Sequence, residues 1–358
     1  MNNKKVLYMG TPIFNYSKKI ISEFEEQGYS VDYYNDRPSE SSFVKGVIKV
    51  RRNLMHILIQ RYFDKIMSET KGKKYDLVFI VNCKVFTPVM IQQLRDSQKS
   101  ARFVLYMWDS FTLYPKSKEL LSYFDKAYSF DLDDCSNNDE LTFMPLFFHK
   151  EIEGVGQIKF KEIEQLGQIK SKEIEEVGQI AFKEIACDIV SVCTAHPNRY
   201  KMMHELFPEL ESNGIHVFSY MFLNRLQYLY NKAFVPEFKN ARSSEFKFKP
   251  LSEKENLAIL KKSNTVFDMQ HNMQSGLTMR TIETLGAKRK MITTNSNIKK
   301  YDFYNENNIF VMDKHNAAGI EKFIKKKYQP ISEDIYRKYS LHSWVETIIN
   351  ETDNIYVR

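Results

Sequence analysis

A chain of 358 residues, 43% of them apolar, is long enough for two domains and too apolar to be disordered. Its net charge of +7 comes with neither zinc-finger spacing nor an RNA-binding aromatic signature, so nucleic acid is not expected as a partner. No run approaches the roughly 20 apolar residues of a membrane span, and the opening MNNKKVLYMGTP lacks a signal-peptide core, so a cytoplasmic protein is expected. The four cysteines, Cys83, Cys135, Cys187 and Cys193, have no CxxC spacing and read as reduced structural thiols. Basic clusters at 45–52, 288–290 and 325–327 read as solvated faces, or as weak peripheral contact with the inner face of the cell membrane.

In chain order, residues 5–10, KVLYMG, predict a buried parallel strand, and Gly10-Thr11-Pro12 a turn. An amphipathic helix over 16–27 stops at Gly28, and a strand follows at 30–34. This βαβ start has no G-x-G-x-x-G loop, so a dinucleotide cofactor is not expected. Residues 43–70 read as one long basic helix or two shorter ones. Residues 76–81, DLVFIV, are a strand, and 87–97 a helix with Pro88 in its first turn. Residues 101–108 are a strand ending at Asp109-Ser110, followed by a short helix at 117–125 and strands at 127–130 and 141–147. Such alternation predicts a doubly wound sheet in a first domain, 1–149.

Residues 150–185 hold three copies of one 11-residue unit, KEIEGVGQIKF, KEIEQLGQIKS and KEIEEVGQIAF. The regularity marks a tandem expansion inserted between two domains. Apolar residues near helical spacing predict a helix, although Gly156, Gly167 and Gly178 each cost roughly 1 kcal/mol there. The repeat offers no chemical site and is expected to serve as a spacer or an oligomer contact.

A second alternating series then begins, with a strand at 188–193, a helix at 198–210, a strand at 215–220 and a helix at 224–232. A short strand at 246–248 precedes a helix at 252–263, capped by Ser252, and a strand at 264–268. After the stretch 274–295 come a strand at 308–312, a helix at 317–327 and a closing helix within 331–350. The second domain is expected at 186–330, with 331–358 as a C-terminal segment.

The stretch QSGLTMRTIETLGAKRKMITTN, 274–295, concentrates the chemistry. It reads as a turn, a helix entered at Ser275-Gly276 and stopped at Gly286, and a strand. At 100° per residue Gly276, Arg280, Glu283 and Thr284 share one face, while Met279, Ile282 and Leu285 face a sheet. A helix start suits a diphosphate, Arg280 adds a fixed charge, and Glu283 offers two acceptor oxygens to the paired hydroxyls of a ribose. The stretch resembles the donor-binding segment of retaining-type glycosyltransferases of GT-B fold. It is most similar to the sugar transferases of bacterial polysaccharide and lipopolysaccharide assembly, including the CgeB-type group. In those an R-x-x-E-x-L-x-x-G context holds the ribose; Arg280, Glu283 and Leu285 match it, with Gly286 displaced toward the N-terminus. The resemblance implies two Rossmann-like domains facing a cleft. It also implies a closing helix that crosses back onto the first domain.

Ligands of open α/β sheets bind beyond the carboxyl ends of the strands. Those positions hold Gly10-Thr11, Asn82-Cys83, Trp108-Asp109-Ser110, Asp131, Thr194 to His196 and His271 to Ser275. Asp109 reads as a catalytic group that positions or deprotonates an acceptor hydroxyl, or else as a turn aspartate. Gly10 and Thr11 lie on the same acceptor side. The resemblance implies a loop near the donor diphosphate at Thr194, where His196 and Arg199 hydrogen-bond it; His271 lies beside the phosphate turn. No Asp-x-Asp occupies a strand end, and Asp131-Leu-Asp133-Asp134 reads as a loop, so no metal and no cofactor are expected. The expected function is sugar transfer from a nucleotide-diphosphate donor to a glycan or lipid-linked surface acceptor. A nucleotide-sugar epimerase of the same fold, or a non-catalytic sugar-nucleotide-binding scaffold, are the alternatives.

Overall fold

The computed structural model describes residues 4–12, 15–39, 55–156, 187–270, 274–312, 315–351 and 354–357. The chain forms two compact units. The first comprises Met1–Leu146, His271–Gly276 and Leu341–Tyr356; the second comprises Phe147–Gln270, Leu277–Ser340 and Val357–Arg358.

The first unit holds a six-stranded sheet: β1 Lys4–Met9, β2 Tyr29–Tyr34, β3 Leu77–Val81, β4 Arg102–Met107, β5 Lys126–Ser129 and β6 Leu141–Phe143. Its order is β2-β1-β3-β4-β5-β6 with every pair parallel. Central strands of a parallel sheet lose water on both faces. That is why β3, LVFIV, and most of β4, RFVLYM, are continuously apolar and buried. Helices Tyr16–Glu26, His56–Thr70 and Pro88–Ser97 cross over between strands. Thr87 caps the last of these, its side chain accepting from the Met90 N–H with proline at the first turn.

The helix Leu341–Asn350 also belongs to this unit. Its Trp344 ring meets Tyr106 at 4.7 Å and Phe79 at 5.7 Å, both nearly edge-on. A buried indole of this kind is worth about 3–5 kcal/mol on truncation to alanine.

The second unit holds β7 Cys187–Thr194, β8 Val217–Phe222, β9 Ser263–Asp268, β10 Lys290–Thr293 and β11 Ile309–Val311. Their order is β11-β10-β9-β7-β8, again all parallel. In both sheets the winding reverses beside the first strand, between β1 and β3 and between β7 and β9. Each unit therefore has a topological switch point at its carboxyl edge.

Several elements differ from expectation. The helix expected to open at Ser275 begins at Met279, with Thr278 as its N-cap. The polar run after β5 is a short helix, Leu132–Ser136, capped by the Asp131 carboxylate through the N–H groups of Asp133 and Asp134. The strand expected at 246–248 is a single parallel bridge, Phe222 to Lys247. The closing helix is two, Glu333–Lys338 and Leu341–Asn350. Gly286 is the last residue of its helix rather than the stop after it, and the left-handed residue there is Lys288, at φ 52°. Gly286 is needed for another reason. A Cβ there would lie 2.4 Å from the Phe148 ring and 2.9 Å from Ile152. The first residues of the repeat form the helix Lys150–Gly156, and residues 157–186, with the rest of the repeat, lie outside the described residues. So does all of the basic stretch at 43–54.

Candidate functional site

The β7/β9 switch of the second unit gathers most of the expected donor residues. Thr194 ends β7 in the open, and exposed His196 precedes Pro197, the first residue of the helix Pro197–Ser212. Arg199, in the first turn, reaches from the β7 side to the β9 side, donating through Nη2 to the Met269 carbonyl at 2.7 Å. Asp268 ends β9 and organises the next helix start. Its Oδ2 accepts from the hydroxyls of Thr278 at 2.6 Å and Thr281 at 2.9 Å. The Thr278 hydroxyl in turn accepts from the Thr281 N–H at 3.1 Å. A carboxylate at this end also favours the helix dipole.

Arg280 and Glu283 stand one turn further on. Arg280 Nη1 lies 3.4 Å from Glu283 Oε2, and its Nη2 donates to Asn256 at 3.0 Å. These contacts engage two of the five N–H donors of a guanidinium. Glu283 is buried, at 4% exposure. All six residues from 281 to 286 are buried, so this helix is covered on its polar side as well as its apolar side. The Cys193 thiol is pushed up by burial, while Arg199 and Arg280 pull it down and Asp268 pushes it up. It thus senses the charges of the whole group.

Two expected donor residues are engaged elsewhere. The peptide N–H groups of Ser275 and Gly276 donate to Asp131 Oδ2 at 2.8 and 3.2 Å. The Ser275 hydroxyl donates to Asp131 Oδ1 at 2.5 Å and accepts from the Asp133 N–H at 3.1 Å. A Cβ on Gly276 would lie 2.6 Å from Phe130. This turn is therefore an anchor in the first unit, built around a protein carboxylate. The helix itself starts three residues on, at its N-cap Thr278. His271 lies outside the described residues.

The β1/β3 switch of the first unit carries a different group. Asn82 and Cys83 follow β3 with φ of 65° and 49°. Asn82 is fully buried, and its Oδ1 accepts from the N–H groups of Trp108 at 2.7 Å and Asp109 at 3.0 Å. Its Nδ2 donates to Asp109 Oδ2 at 2.9 Å, so one side chain fixes the turn after β4. Lys84 Nζ lies 3.0 Å from the same carboxylate oxygen and 4.6 Å from the centre of the Tyr114 ring. Burial pulls the Lys84 ammonium down, but Asp109, Tyr114 and Asp36 outweigh it and leave its pKa raised. Gly10 and Thr11 follow β1. Thr11 Oγ1 accepts from Arg37 Nη2 at 2.9 Å, and Arg37 Nε donates to Asp36 Oδ1 at 3.2 Å. Asp36 is fully buried, and burial raises its pKa against the pull of Arg37 and Lys84.

Sequence reasoning reached Gly10, Thr11 and Asp109 but passed over Asp36, Arg37 and Lys84. The end of β2 was not counted among the strand ends, although Asn35-Asp36-Arg37 follows it directly. That was the available signal.

The basic cluster 288–290 is not a solvated face. Arg289 is buried and donates to the carbonyls of Leu260 and Ala287. Lys290 is buried with Nζ donating to the carbonyls of Phe323, Ile324 and Lys326 at 2.7–2.9 Å. It caps the C-terminus of the helix Ala317–Ile324, where the dipole favours a cation. Burial pulls the Lys290 pKa down to about 8. Lys325, Lys326 and Lys327 are exposed.

Among the described residues one group could hold a metal ion, His149 with Glu151 and Glu253. Nδ1 of the buried imidazole is 2.7 Å from Glu151, and Nε2 is 4.0 Å from Glu253. The carboxylates face different ring nitrogens, which is the geometry of a bridged imidazole rather than of ligands converging on one ion. No helix among the described residues is long and apolar enough to cross a membrane.

No protein-family model matches the chain, and no curated protein matches it in sequence. Its fold is shared with solved glycosyltransferases. A glycosyltransferase from Rickettsia africae aligns over 98% of this chain and 94% of its own, at 11% identity and a TM-score of 0.52. The catalytic domain of starch synthase IV from Arabidopsis thaliana, bound to ADP and acarbose, aligns over 98% and 96%, at 9% identity and a TM-score of 0.55. A UDP-N-acetylglucosamine 2-epimerase aligns over 98% and 95%, at 10% identity and a TM-score of 0.50. Likeness at such identities is a likeness of fold. The two parallel α/β units are those of the GT-B class.

Proposed function

We propose that the protein transfers a glycosyl group from a nucleoside-diphosphate sugar to a hydroxyl of a surface glycan or lipid-linked acceptor, from the cytoplasmic side. One observation carries this reading: buried Glu283, paired with Arg280, stands on the helix that leaves the β9 edge at a switch point. A carboxylate there can accept from both ribose hydroxyls, and the start of the same helix faces the diphosphate. Thr194, His196, Arg199 and Arg280 border the diphosphate in this reading. The guanidinium groups and helix dipole stabilise the negative charge that builds on the leaving diphosphate as the glycosidic bond to it breaks. No step requires a metal ion.

Asp109 is assigned to the acceptor, and Gly10 and Thr11 to the same acceptor side. Asn82 fixes the Asp109 backbone and one carboxylate oxygen, and Lys84 shares that oxygen. The second oxygen is the one that can orient an incoming hydroxyl and take its proton.

A panel of nucleoside diphosphates in thermal-shift measurements tests the donor half, since a ligand of the native state raises its melting point. Stabilisation by UDP, GDP or ADP that Glu283→Gln weakens more than it weakens stabilisation by inorganic diphosphate is the expected result. No response to any of them would remove the reading. The likeness to a 2-epimerase keeps a second reaction in view. Incubation with donor alone separates the two, because an epimerase converts the sugar nucleotide without an acceptor and a transferase does not.

A further inference from the structure

The helix Arg225–Phe234 carries an apolar face turned to solvent. At 100° per residue Leu229, Ala233, Leu226, Tyr230 and Phe234 follow one another around a single arc of about 140°. Leu226 is 80% exposed, Leu229 61%, Tyr230 57% and Phe234 73%. Tyr228 and Asn231, on the opposite side, are buried, and Tyr228 packs on Phe246 and Phe248. The helix is therefore held by its polar-edged side and presents its greasy side outward. Only eight large hydrophobic residues are exposed among those described, and four of them stand on this one helix. Chance scatter of surface apolar residues does not produce that concentration.

The surroundings are basic. Residues 225–249 contain Arg225, Lys232, Lys239, Arg242, Lys247 and Lys249 against Glu237 and Glu245, six positive charges to two negative, net +4. All six basic residues are exposed. Glu245 is occupied within the unit, accepting from the Arg242 N–H at 2.6 Å and the Tyr200 hydroxyl at 3.2 Å. Lys232 ties the following loop to the helix by donating to the Ala241 carbonyl at 2.7 Å. Arg225 lies over the Phe248 ring at 5.6 Å. These basic residues belong to the same unit as the apolar arc, with Arg225 next to the arc on the helix itself.

We propose that this face docks on an anionic lipid bilayer, with the helix in the plane of the interface. Leucine, tyrosine and phenylalanine would enter the headgroup–acyl boundary while exposed arginines and lysines of the same net-positive segment meet lipid phosphates. A second copy of the chain fits less well. Two copies would bring two net-positive segments together. The proposal stands independently of the sugar-transfer reading.

The test is co-sedimentation of the full-length protein with vesicles of phosphatidylcholine alone and of phosphatidylcholine with phosphatidylglycerol. Binding to the anionic vesicles, released by added salt, is expected. The double variant Leu229→Glu/Phe234→Glu should lose it, with an unchanged circular dichroism spectrum. Lys247→Glu with Lys249→Glu should lower partitioning at least about fivefold per residue. If the first double variant does not fold, Leu226→Ser/Tyr230→Ser carries the same expectation. Absence of binding to anionic vesicles overturns the proposal. So does undiminished binding by the apolar-face variants, or a concentration-dependent dimer of the parent that they abolish.

Discussion

The two units repeat one winding pattern but equip it differently. Each sheet reverses beside its first strand, and each places its polar residues at that edge. In the first unit the group is charged: Asp36 pairs with Arg37 and Lys84 with Asp109, Lys84 acts electrostatically on Asp36, and a fully buried asparagine holds Asp109. In the second it is a chain of hydroxyls and guanidiniums, with Asp268 holding two threonines at a helix start and Arg280 and Glu283 one turn on. A carboxylate held by a lysine and an asparagine suits proton handling. Arginines beside a helix start suit a polyanion. The topology supplies the place and the side chains supply the chemistry, which is why fold alone does not decide the reaction.

Asp109→Asn gives the sharpest way to separate the two edges. A lost acid–base group costs about 100- to 10,000-fold in kcat, and the nucleotide-induced thermal shift, which reports the second unit, should stay. Loss of both would mean that the edges are not functionally distinct. Arg280→Ala should do the reverse. Removing a charge-assisted contact weakens nucleoside diphosphate binding on the order of 10- to 100-fold, read by titration calorimetry. Glu283→Gln keeps shape and removes charge. It should cost about tenfold toward a nucleoside diphosphate and much less toward inorganic diphosphate. Equal losses would take Glu283 off the ribose. Thr278→Ala removes an N-cap and one of the two hydroxyls on Asp268, for about 1 kcal/mol of stability in urea unfolding.

The alternation of strands and helices was legible because it is local: period 2 or 3.6 patterns, Pro88 at a helix start and Ser252 as a cap need only neighbours in sequence. The register of 279–286 was also legible, with Ile282 and Leu285 inward. The other face of that helix was not, since what covers Glu283 and Thr284 comes from elsewhere in the chain. Ser275 was misplaced for the same reason. Its partner Asp131 is 144 residues away, and a Ser-Gly pair looks alike whether it opens a helix or binds a carboxylate. Lys290 looked like surface charge because the carbonyls it caps begin 33 residues later. Asp36 and Lys84 were overlooked because buried ion networks have no sequence period at all.

A pH-dependent effect tests whether the first unit's acids act as a group beyond the switch point. Asp134 lies just after β5, its Oδ2 accepting from the Phe111 N–H at 2.8 Å. Burial, helped by Asp131 and Asp133, pushes its pKa up to about 6, against that hydrogen bond and Lys118. The native state therefore keeps a proton that the unfolded chain releases near pH 4. Between those values the native state binds more protons, so stability from this group is fully present below about pH 4 and is lost as pH rises through about 6. Other carboxylates titrate in the same window, so the quantity to read is a difference. The urea midpoint of the parent minus that of Asp134→Asn should fall between pH 4 and pH 7, because the amide cannot ionise. A flat difference would mean that Asp134 is ionised in the native state as readily as in water. The acids after β5 would then be independent surface charges, not a coupled group.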